Sequence, residues 1–222
     1  MLIRPHRRRF ALLVLTLVAS FAFLAAACGG SSSSATPTTA GSTVSLKGAV
    51  ISPPPVKPDV TLTDTSGQPY NIVQNTRGYL TLFYMGYTHC PDACPQAMAQ
   101  LASVVGGLPP AISSKVKVIF VTTDPKRDTP QVLRTWLDQF SPSFIGLTGS
   151  EAQIVALEQQ EGIPVAQIGT PDASGNYAVN HATFVLAFTA QDNIAHTAYP
   201  GGFSNADIAS DITTLVTKGW KG

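Results

Sequence analysis

The sequence contains little charge and no excess of either sign. Lys and Arg together number 14, and Asp and Glu 13, in 222 residues, so the formal net charge is +1. Because phosphate backbones are bound by clustered positive charge, this balance argues against nucleic acid as the main partner. Cysteine is also scarce, and three residues are too few for a small fold held together by disulfides.

The N-terminal residues have the pattern of an export signal. Arg4 and three consecutive arginines at 7–9 precede an apolar run over residues 10–24, and three alanines then lead to Cys28. The pattern predicts a bacterial lipoprotein signal at 1–27, with cleavage before Cys28 and acylation of that cysteine. The alternative is an uncleaved anchor, although the run is on the short side of the about 20 residues that span a bilayer. Either way, we expect the rest of the chain outside the cytoplasm, attached to the cell membrane.

A change in composition marks the expected domain boundary. Residues 28–57 are rich in Ser, Thr, Gly and Pro, and such a segment buries too little apolar surface to order itself, so it predicts a flexible tether. Hydrophobic residues make up 44% of the whole chain, which is enough to form a core. We therefore expect one folded domain over residues 58–222.

Strand and helix patterns alternate along this domain. They predict an N-terminal hairpin from 60–63 and 70–73, central strands at 79–85 and 116–121, and a helix that begins at Pro95. A second helix is expected after the N-cap Thr129, with Trp136 on its apolar face, and others after Ser150 and Ser204. Strands at 183–188 and 193–199 should pair near the C-terminus. The fold class is therefore α/β: a thioredoxin-like sandwich with a central mixed sheet flanked by helices.

Two cysteines carry the clearest chemical signal. Cys90 and Cys94 stand four positions apart between a buried strand and the start of a helix. A helix N-terminus lowers the pKa of a thiol nearby, and thiolates are both nucleophiles and soft metal ligands. The pair can therefore chelate one soft ion or close a redox-active disulfide, and a purely structural disulfide is a third reading. Three intervening residues distinguish the pair from the common redox motif, which has two.

His181 is the candidate for a third ligand. It precedes the strand expected at 183–188, and in a thioredoxin-like fold the loop before that strand faces the cysteine loop. A histidine in such a loop is ordinary when taken alone, so the expectation depends on the fold.

Three segments in this order resemble the SCO/SenC family of copper-binding cytochrome c oxidase assembly factors. They read GYTHCPDACP at 86–95, VTTDPKRDTP at 121–130 and NHAT at 180–183, and the likeness spans about residues 58–218. The resemblance implies that Cys90, Cys94 and His181 bind one copper ion. It also places Asp124 near the site, where we expect it to orient a ligand. The family commonly has Asp-His-Ser where this chain has Asn180 and Ala182 around the histidine, so this chain lacks one hydrogen bond that the family can form beside the ligand.

The resemblance implies a function that agrees with the chemistry of the donors. Cu(I) prefers thiolates and imidazole also suits Cu(II), whereas zinc is a weaker candidate. We expect a membrane-anchored, monomeric copper chaperone that delivers copper to the CuA site of cytochrome c oxidase subunit II. Such transfer needs no turnover, so an enzyme is not expected.

Two other functions stay open from the sequence. A thiol–disulfide oxidoreductase would cycle Cys90 and Cys94 on cysteines of the oxidase subunit or of other exported proteins. His181 distinguishes the two hypotheses, because metal binding needs it and disulfide exchange does not. A peroxidase is disfavoured, since the Arg or Gln/Trp partners of a peroxidatic thiolate have no clear equivalent.

The remaining notable residues have plainer interpretations. His89 is expected to be a solvated loop histidine and His196 a structural one. Met85 is expected in the core. Arg127 and Asp128 predict a local ion pair or a helix cap, with partner docking as the alternative.

Overall fold

The computed structural model of the protein describes residues 44–220. These residues form ten strands and six helices. The strands are β1 (Ala49–Val50), β2 (Thr61–Asp64), β3 (Pro69–Asn71), β4 (Leu80–Gly86), β5 (Val116–Thr122), β6 (Ile145–Thr148), β7 (Gln167–Ile168), β8 (Val179–Asn180), β9 (Phe184–Phe188) and β10 (Ala195–Pro200). The helices are α1 (Ile72–Asn75), α2 (Ala93–Gly107), α3 (Pro110–Ser113), α4 (Pro130–Leu137), α5 (Glu151–Gln160) and α6 (Asn205–Thr217). In this part of the chain, no helix combines the length and the apolarity needed to cross a membrane.

Eight strands form one mixed sheet in the order β1-β10-β9-β4-β5-β6-β2-β3. β4, β5 and β6 are parallel and are connected through α2 and α4, whereas β9 is antiparallel to both β4 and β10. Residues of α2, α4 and α6 pack on one face and residues of α5 on the other. The α/β, thioredoxin-like fold class predicted from the sequence is confirmed, and so is the N-terminal hairpin, here β2 with β3.

The central strand β4 explains why the sheet needs helices on both faces. All seven of its residues are buried. Side chains alternate along a strand, so Leu82 and Tyr84 point into the core that contains α2, while Phe83 and Met85 point into the opposite core. A strand buried on both faces lies in the middle of a sheet, and its carboxyl end is where the candidate site lies.

Helix α4 follows the sequence prediction closely. The side chain of Thr129 accepts a hydrogen bond from the Val132 backbone N–H at 3.3 Å, and Pro130 is the first helical residue. Trp136 packs against Phe120, with 5.0 Å between ring centroids, as expected for the apolar face.

The caps of the last two helices are also confirmed. Ser150 and Gln153 form a reciprocal capping box at the start of α5. Ser204 accepts from the Asp207 backbone N–H at 3.1 Å at the start of α6.

Two boundaries differ from the sequence prediction. The hairpin strand expected at 70–73 ends at Asn71, because the Asn71 side chain accepts from the Gln74 backbone N–H at 2.8 Å and caps the short helix α1. Helix α2 begins at Ala93 rather than at Pro95, because the Asp92 side chain caps it two residues earlier.

Part of the segment assigned to the tether is packed onto the domain. Strand β1 pairs with β10, and the Asp211 carboxylate accepts the backbone N–H groups of Lys47 and Gly48 at 2.8–2.9 Å. Lys57 is buried and donates to the Thr76 hydroxyl at 3.1 Å, and burial lowers its pKa to about 8 although Asp192 opposes the shift. The domain thus begins near residue 46 instead of 58. The signal expected at 1–27, the acylation expected at Cys28 and the first part of the expected tether lie outside the described residues.

A second, two-stranded sheet has no clear sequence signal. Within residues 44–220, β7 and β8 pair only with each other and are separate from the large sheet. Each has two residues, too few for an alternating pattern to be recognised. This hairpin matters because His181 follows β8 directly.

Glu161, just after α5, is a buried acid without a counterion. Its side chain is 5% exposed, and neither carboxylate oxygen has a hydrogen-bond partner among the described residues. Burial raises the pKa of Glu161 to about 8, so the folded protein holds a proton there that the unfolded chain releases near pH 4.5.

We therefore expect Glu161→Gln to make the free energy of unfolding depend less on pH. A carboxyl pKa raised by folding makes the stability highest below pH 4.5 and lowers it as the pH rises to about 8, by at most about 5 kcal/mol at about 1.4 kcal/mol per pH unit. The free energy of unfolding, measured by urea denaturation at pH 5 and pH 8.5, should fall less in E161Q than in the wild type. The exposed-acid control Glu151→Gln should keep the wild-type fall, and an unchanged fall in E161Q would contradict the assignment.

Candidate metal site

The structure brings the three predicted ligands together. The Sγ atoms of Cys90 and Cys94 and a ring nitrogen of His181 all lie within 4.8 Å of one another. Cys94 Sγ is 3.4 Å from His181 Nε2. Both cysteines are unpaired thiols; Cys94 is fully buried, Cys90 is 8% exposed and His181 is half-buried. Two soft donors and one imidazole therefore converge from two separate segments.

Helix α2 fixes the positions of both sulfurs. Cys94 lies in the first turn of this helix, and its backbone N–H points at Cys90 Sγ at 3.4 Å. The sequence predicted that the helix N-terminus would lower the thiol pKa. For Cys94 the opposite holds, because burial raises its pKa and outweighs the nearby N–H groups. The metal-free Cys94 is therefore a protonated thiol at neutral pH.

Gly86, the last residue of β4, makes room for Cys94. A Cβ atom at this position would lie 2.6 Å from Cys94 Sγ and 2.7 Å from the Tyr84 ring. Both distances are far below van der Waals contact, so only glycine lets the first turn of α2 pack this closely on the strand.

The hydrogen bonds of His181 define which ring nitrogen is free. Nδ1 lies 2.7 Å from the Ala182 carbonyl oxygen and 3.2 Å from that of Met85. Carbonyl oxygens only accept, so Nδ1 carries the proton and the lone pair of Nε2 faces Cys94. Burial lowers the pKa of His181 and favours this neutral form, which is the form that binds metals.

Two tyrosines that the sequence analysis did not single out surround the site. The Tyr84 hydroxyl lies 3.8 Å from Cys94 Sγ, and its ring lies edge-on to His181 at 6.3 Å between centroids. Tyr87 is also edge-on to His181, at 5.4 Å. In the sequence these residues read only as the apolar end of a strand and a loop residue. The position of Tyr87 three residues before Cys90 was the one available signal.

Asp124 does not play the direct role expected of it. It is fully buried, but its carboxylate is bound to the Arg127 guanidinium and accepts from the Tyr177 hydroxyl at 2.9 Å. The orientation of His181 comes instead from the two backbone carbonyls. Asp124 lies one layer further out than the sequence predicted.

Asp128 secures the loop that carries the cysteines. Its buried carboxylate accepts from the Thr88 backbone N–H at 2.9 Å, the Thr88 hydroxyl at 2.6 Å and the Thr122 hydroxyl at 2.7 Å. The local ion pair predicted between Arg127 and Asp128 is not formed, because Arg127 pairs with Asp124. Both side chains are thus used internally.

The plainer predictions for the other residues agree with the structure. His89 is half-exposed, with Nδ1 3.1 Å from the Thr88 hydroxyl. His196 stacks on Trp220 at 4.4 Å between centroids. Met85 is buried in the core on the opposite face, so only its backbone carbonyl serves the site.

The tight approach at Gly86 predicts a sharp effect of a single methyl group. Gly86→Ala should displace Cys94, cost about 1–3 kcal/mol of stability through overpacking and weaken metal binding about tenfold. Gly106→Ala is the matched control, because a Cβ at that position in α2 meets nothing within 4 Å. Thermal unfolding and Cu(I) competition titrations of both variants test this. Equal stability and equal copper affinity in G86A and G106A would show that the approach of Cys94 to Gly86 does not constrain the site.

Comparisons with known proteins identify a family and several relatives of this chain. Residues 49–217 match the SCO1/SenC family. A SCO2-like protein of Rickettsia felis is 37% identical over 136 residues, which are 60% of this chain and 63% of the relative. The chain therefore spans less than two thirds of the length of such relatives.

Two solved structures share the fold. Bradyrhizobium japonicum ScoI with copper bound has a TM-score of 0.64 and 26% identity over 71% of this chain and 98% of that one. Apo Sco1 of Thermus thermophilus has a TM-score of 0.68 and 27% identity over 79% and 99%. Because the family match covers residues 49–217, which are most of its length, this chain belongs to the SCO1/SenC family.

Proposed function

We propose that the protein is a copper chaperone that carries one copper ion on Cys90, Cys94 and His181. The observation that carries the proposal is the convergence of two thiols and an unprotonated imidazole nitrogen within 4.8 Å. Two thiolates suit Cu(I), which accepts two or three ligands, and the added imidazole also suits Cu(II). The donor set therefore fits copper in either oxidation state.

The arrangement also suits a cargo that must leave again. Three ligands leave the ion short of a saturated shell, so an incoming ligand can bind before an outgoing one departs. Cys94 is fully buried, whereas Cys90 and His181 are partly accessible. Exchange should begin on the side of those two residues, with Cys94 released last.

The proposed recipient is the CuA site of cytochrome c oxidase subunit II. One structural neighbour is described as a member of the Sco family of cytochrome c oxidase assembly proteins, which supports an oxidase target. We further propose that the protein is exported and attached to the membrane by a lipid at Cys28, on the strength of the N-terminal sequence pattern. A monomer held by residues 28–45 could then reach a target in the same membrane.

A thiol–disulfide oxidoreductase is the second candidate. The same sulfurs, close together and unpaired, can close a disulfide, and that structural neighbour is described as having a disulfide switch. Burial raises the pKa of Cys94, so Cys94 would be a slow nucleophile, and an attack on a partner would start from the more accessible Cys90.

Cu(I) titration of the reduced protein against a competing chelator tests the chaperone function. We expect one copper per chain, with affinity reduced at least about 100-fold in Cys90→Ser and Cys94→Ser, because each removes a thiolate ligand. His181→Ala should abolish Cu(II) binding and weaken Cu(I) binding by about tenfold, since Cu(I) is satisfied by two sulfurs.

His89→Ala is the matched control for the histidine variant. Its side chain is next to Cys90 in sequence but half-exposed, so copper binding should be unchanged. Wild-type protein that takes no copper from a weak chelator would end the chaperone proposal. If H181A then exchanged disulfides as fast as the wild type, the oxidoreductase function would replace it.

Copper binding should also be coupled to proton release. Because burial keeps Cys94 protonated in the metal-free protein, the ion must displace that proton. The apparent affinity for Cu(I) should therefore rise with pH, by up to about tenfold per pH unit for each proton displaced. Competition titrations between pH 6 and pH 8 measure the slope. An affinity independent of pH would show that both sulfurs are already thiolates.

A further inference from the structure

The third ligand of the candidate site lies at the junction between a small separate hairpin and the large sheet. Cys90 and Cys94 follow β4 and begin α2, both of which are part of the main core. His181 instead follows β8, whose only strand partner in the described chain is β7. The start of β9 three residues later and the contact of His181 Nδ1 with the Met85 carbonyl constrain His181 from the side of the large sheet. On the other side, no pairing with the large sheet holds the β7–β8 hairpin in the part of the chain that the structure describes, so side-chain contacts must do so.

Arg127 provides those contacts on the side of the β7–β8 hairpin. Its guanidinium lies over the Tyr177 ring, with Cζ 3.6 Å from the centroid, and its Nη1 donates to the Tyr177 carbonyl oxygen at 3.0 Å. Asp124 holds the other end of Tyr177 through the phenol hydroxyl at 2.9 Å and is itself paired with Arg127. Ring, carbonyl and hydroxyl of Tyr177 are thus all fixed, four residues before His181.

The same guanidinium reaches the cysteine loop. Its Cζ is 5.7 Å from the centroid of the Tyr87 ring, and Tyr87 in turn packs edge-on against His181. Arg127 is largely buried, with 17% of its side chain exposed, so these contacts are shielded from water. One planar cation therefore lies between the segment that carries the sulfurs and the segment that carries the imidazole.

We propose that Arg127 is a positioning residue that holds His181 against the two cysteines, acting through Tyr177 on one side and Tyr87 on the other. This proposal rests on the proposed function only in that His181 is taken as a copper ligand. The contacts of Arg127 with Tyr177 and Tyr87 are present in the metal-free fold and do not depend on copper.

Arg127→Lys is the decisive variant. Lysine keeps the positive charge beside Asp124, so no buried carboxylate is left unpaired, but one ammonium group cannot stack on Tyr177 and also serve its carbonyl. In the metal-free, reduced full-length protein, the Gly169 amide, which donates to the Ala178 carbonyl in the hairpin, should exchange with deuterium about tenfold faster. The 15N signals of the His181 ring should lose the pattern of a single Nδ1–H tautomer.

Matched variants separate positioning from general stability. Arg134→Lys removes another guanidinium that donates to backbone carbonyls, those of Ser141 and Phe144, away from the site, and should leave Gly169 exchange unchanged. Tyr177→Phe keeps the stacked ring but removes the hydroxyl that donates to Asp124, so it should accelerate Gly169 exchange less than Tyr177→Leu, which should behave like R127K. An unchanged Gly169 amide in both R127K and Y177L, or an equal acceleration in R134K, would overturn the proposal.

A double-mutant cycle on copper release completes the test. Transfer of Cu(I) to a chelator should be up to about tenfold faster in R127K than in the wild type, and R127K should add nothing in an H181A background, which still binds Cu(I) through its two sulfurs. Additive effects would mean that Arg127 acts on the sulfurs instead of His181. If no variant binds copper while deuterium exchange at Gly169 in the metal-free protein changes as expected, the chaperone function is wrong but Arg127 still positions His181.

Discussion

The site depends on how closely the first turn of α2 packs against the end of β4. The absence of a side chain at Gly86 lets Cys94 Sγ occupy a fully buried position beside Tyr84. That position removes the thiol from water, raises its pKa and directs the sulfur toward His181 Nε2. The contact between Gly86 and Cys94 therefore determines both the position of the Cys94 sulfur and its protonation state in the metal-free protein.

A buried, protonated thiol beside a neutral imidazole favours metal binding over rapid disulfide exchange. A nucleophile benefits from a low thiol pKa, which Cys94 does not have. A soft metal ion, by contrast, can displace the proton, and its bonds to sulfur replace the lost hydration. Burial alone does not exclude redox chemistry, because Cys90 keeps some exposure. The difference in burial does distinguish the two sulfurs, because the sulfur of Cys90 is partly accessible and that of Cys94 is enclosed.

The fold and the ligand set could largely be predicted from the sequence, whereas the surroundings of the ligands could not. Caps such as Thr129 and Ser150 are local, so their residues identify them. The partners of Arg127 are not local. The sequence offered Asp128 next to it, but the turn after β5 directs the guanidinium to Asp124 and, 50 residues on, to the carbonyl of Tyr177.

The α/β class and the candidate ligands, two cysteines and a histidine, could be predicted from the residues alone, because periodicity and motif order are properties of neighbouring residues. Four features became known from the folded chain: the direction of the Cys94 pKa, the free nitrogen of His181, the outer position of Asp124 and the start of the domain near Leu46. Each of these depends on which distant groups exclude water or supply a hydrogen bond, and chain folding alone brings those groups together.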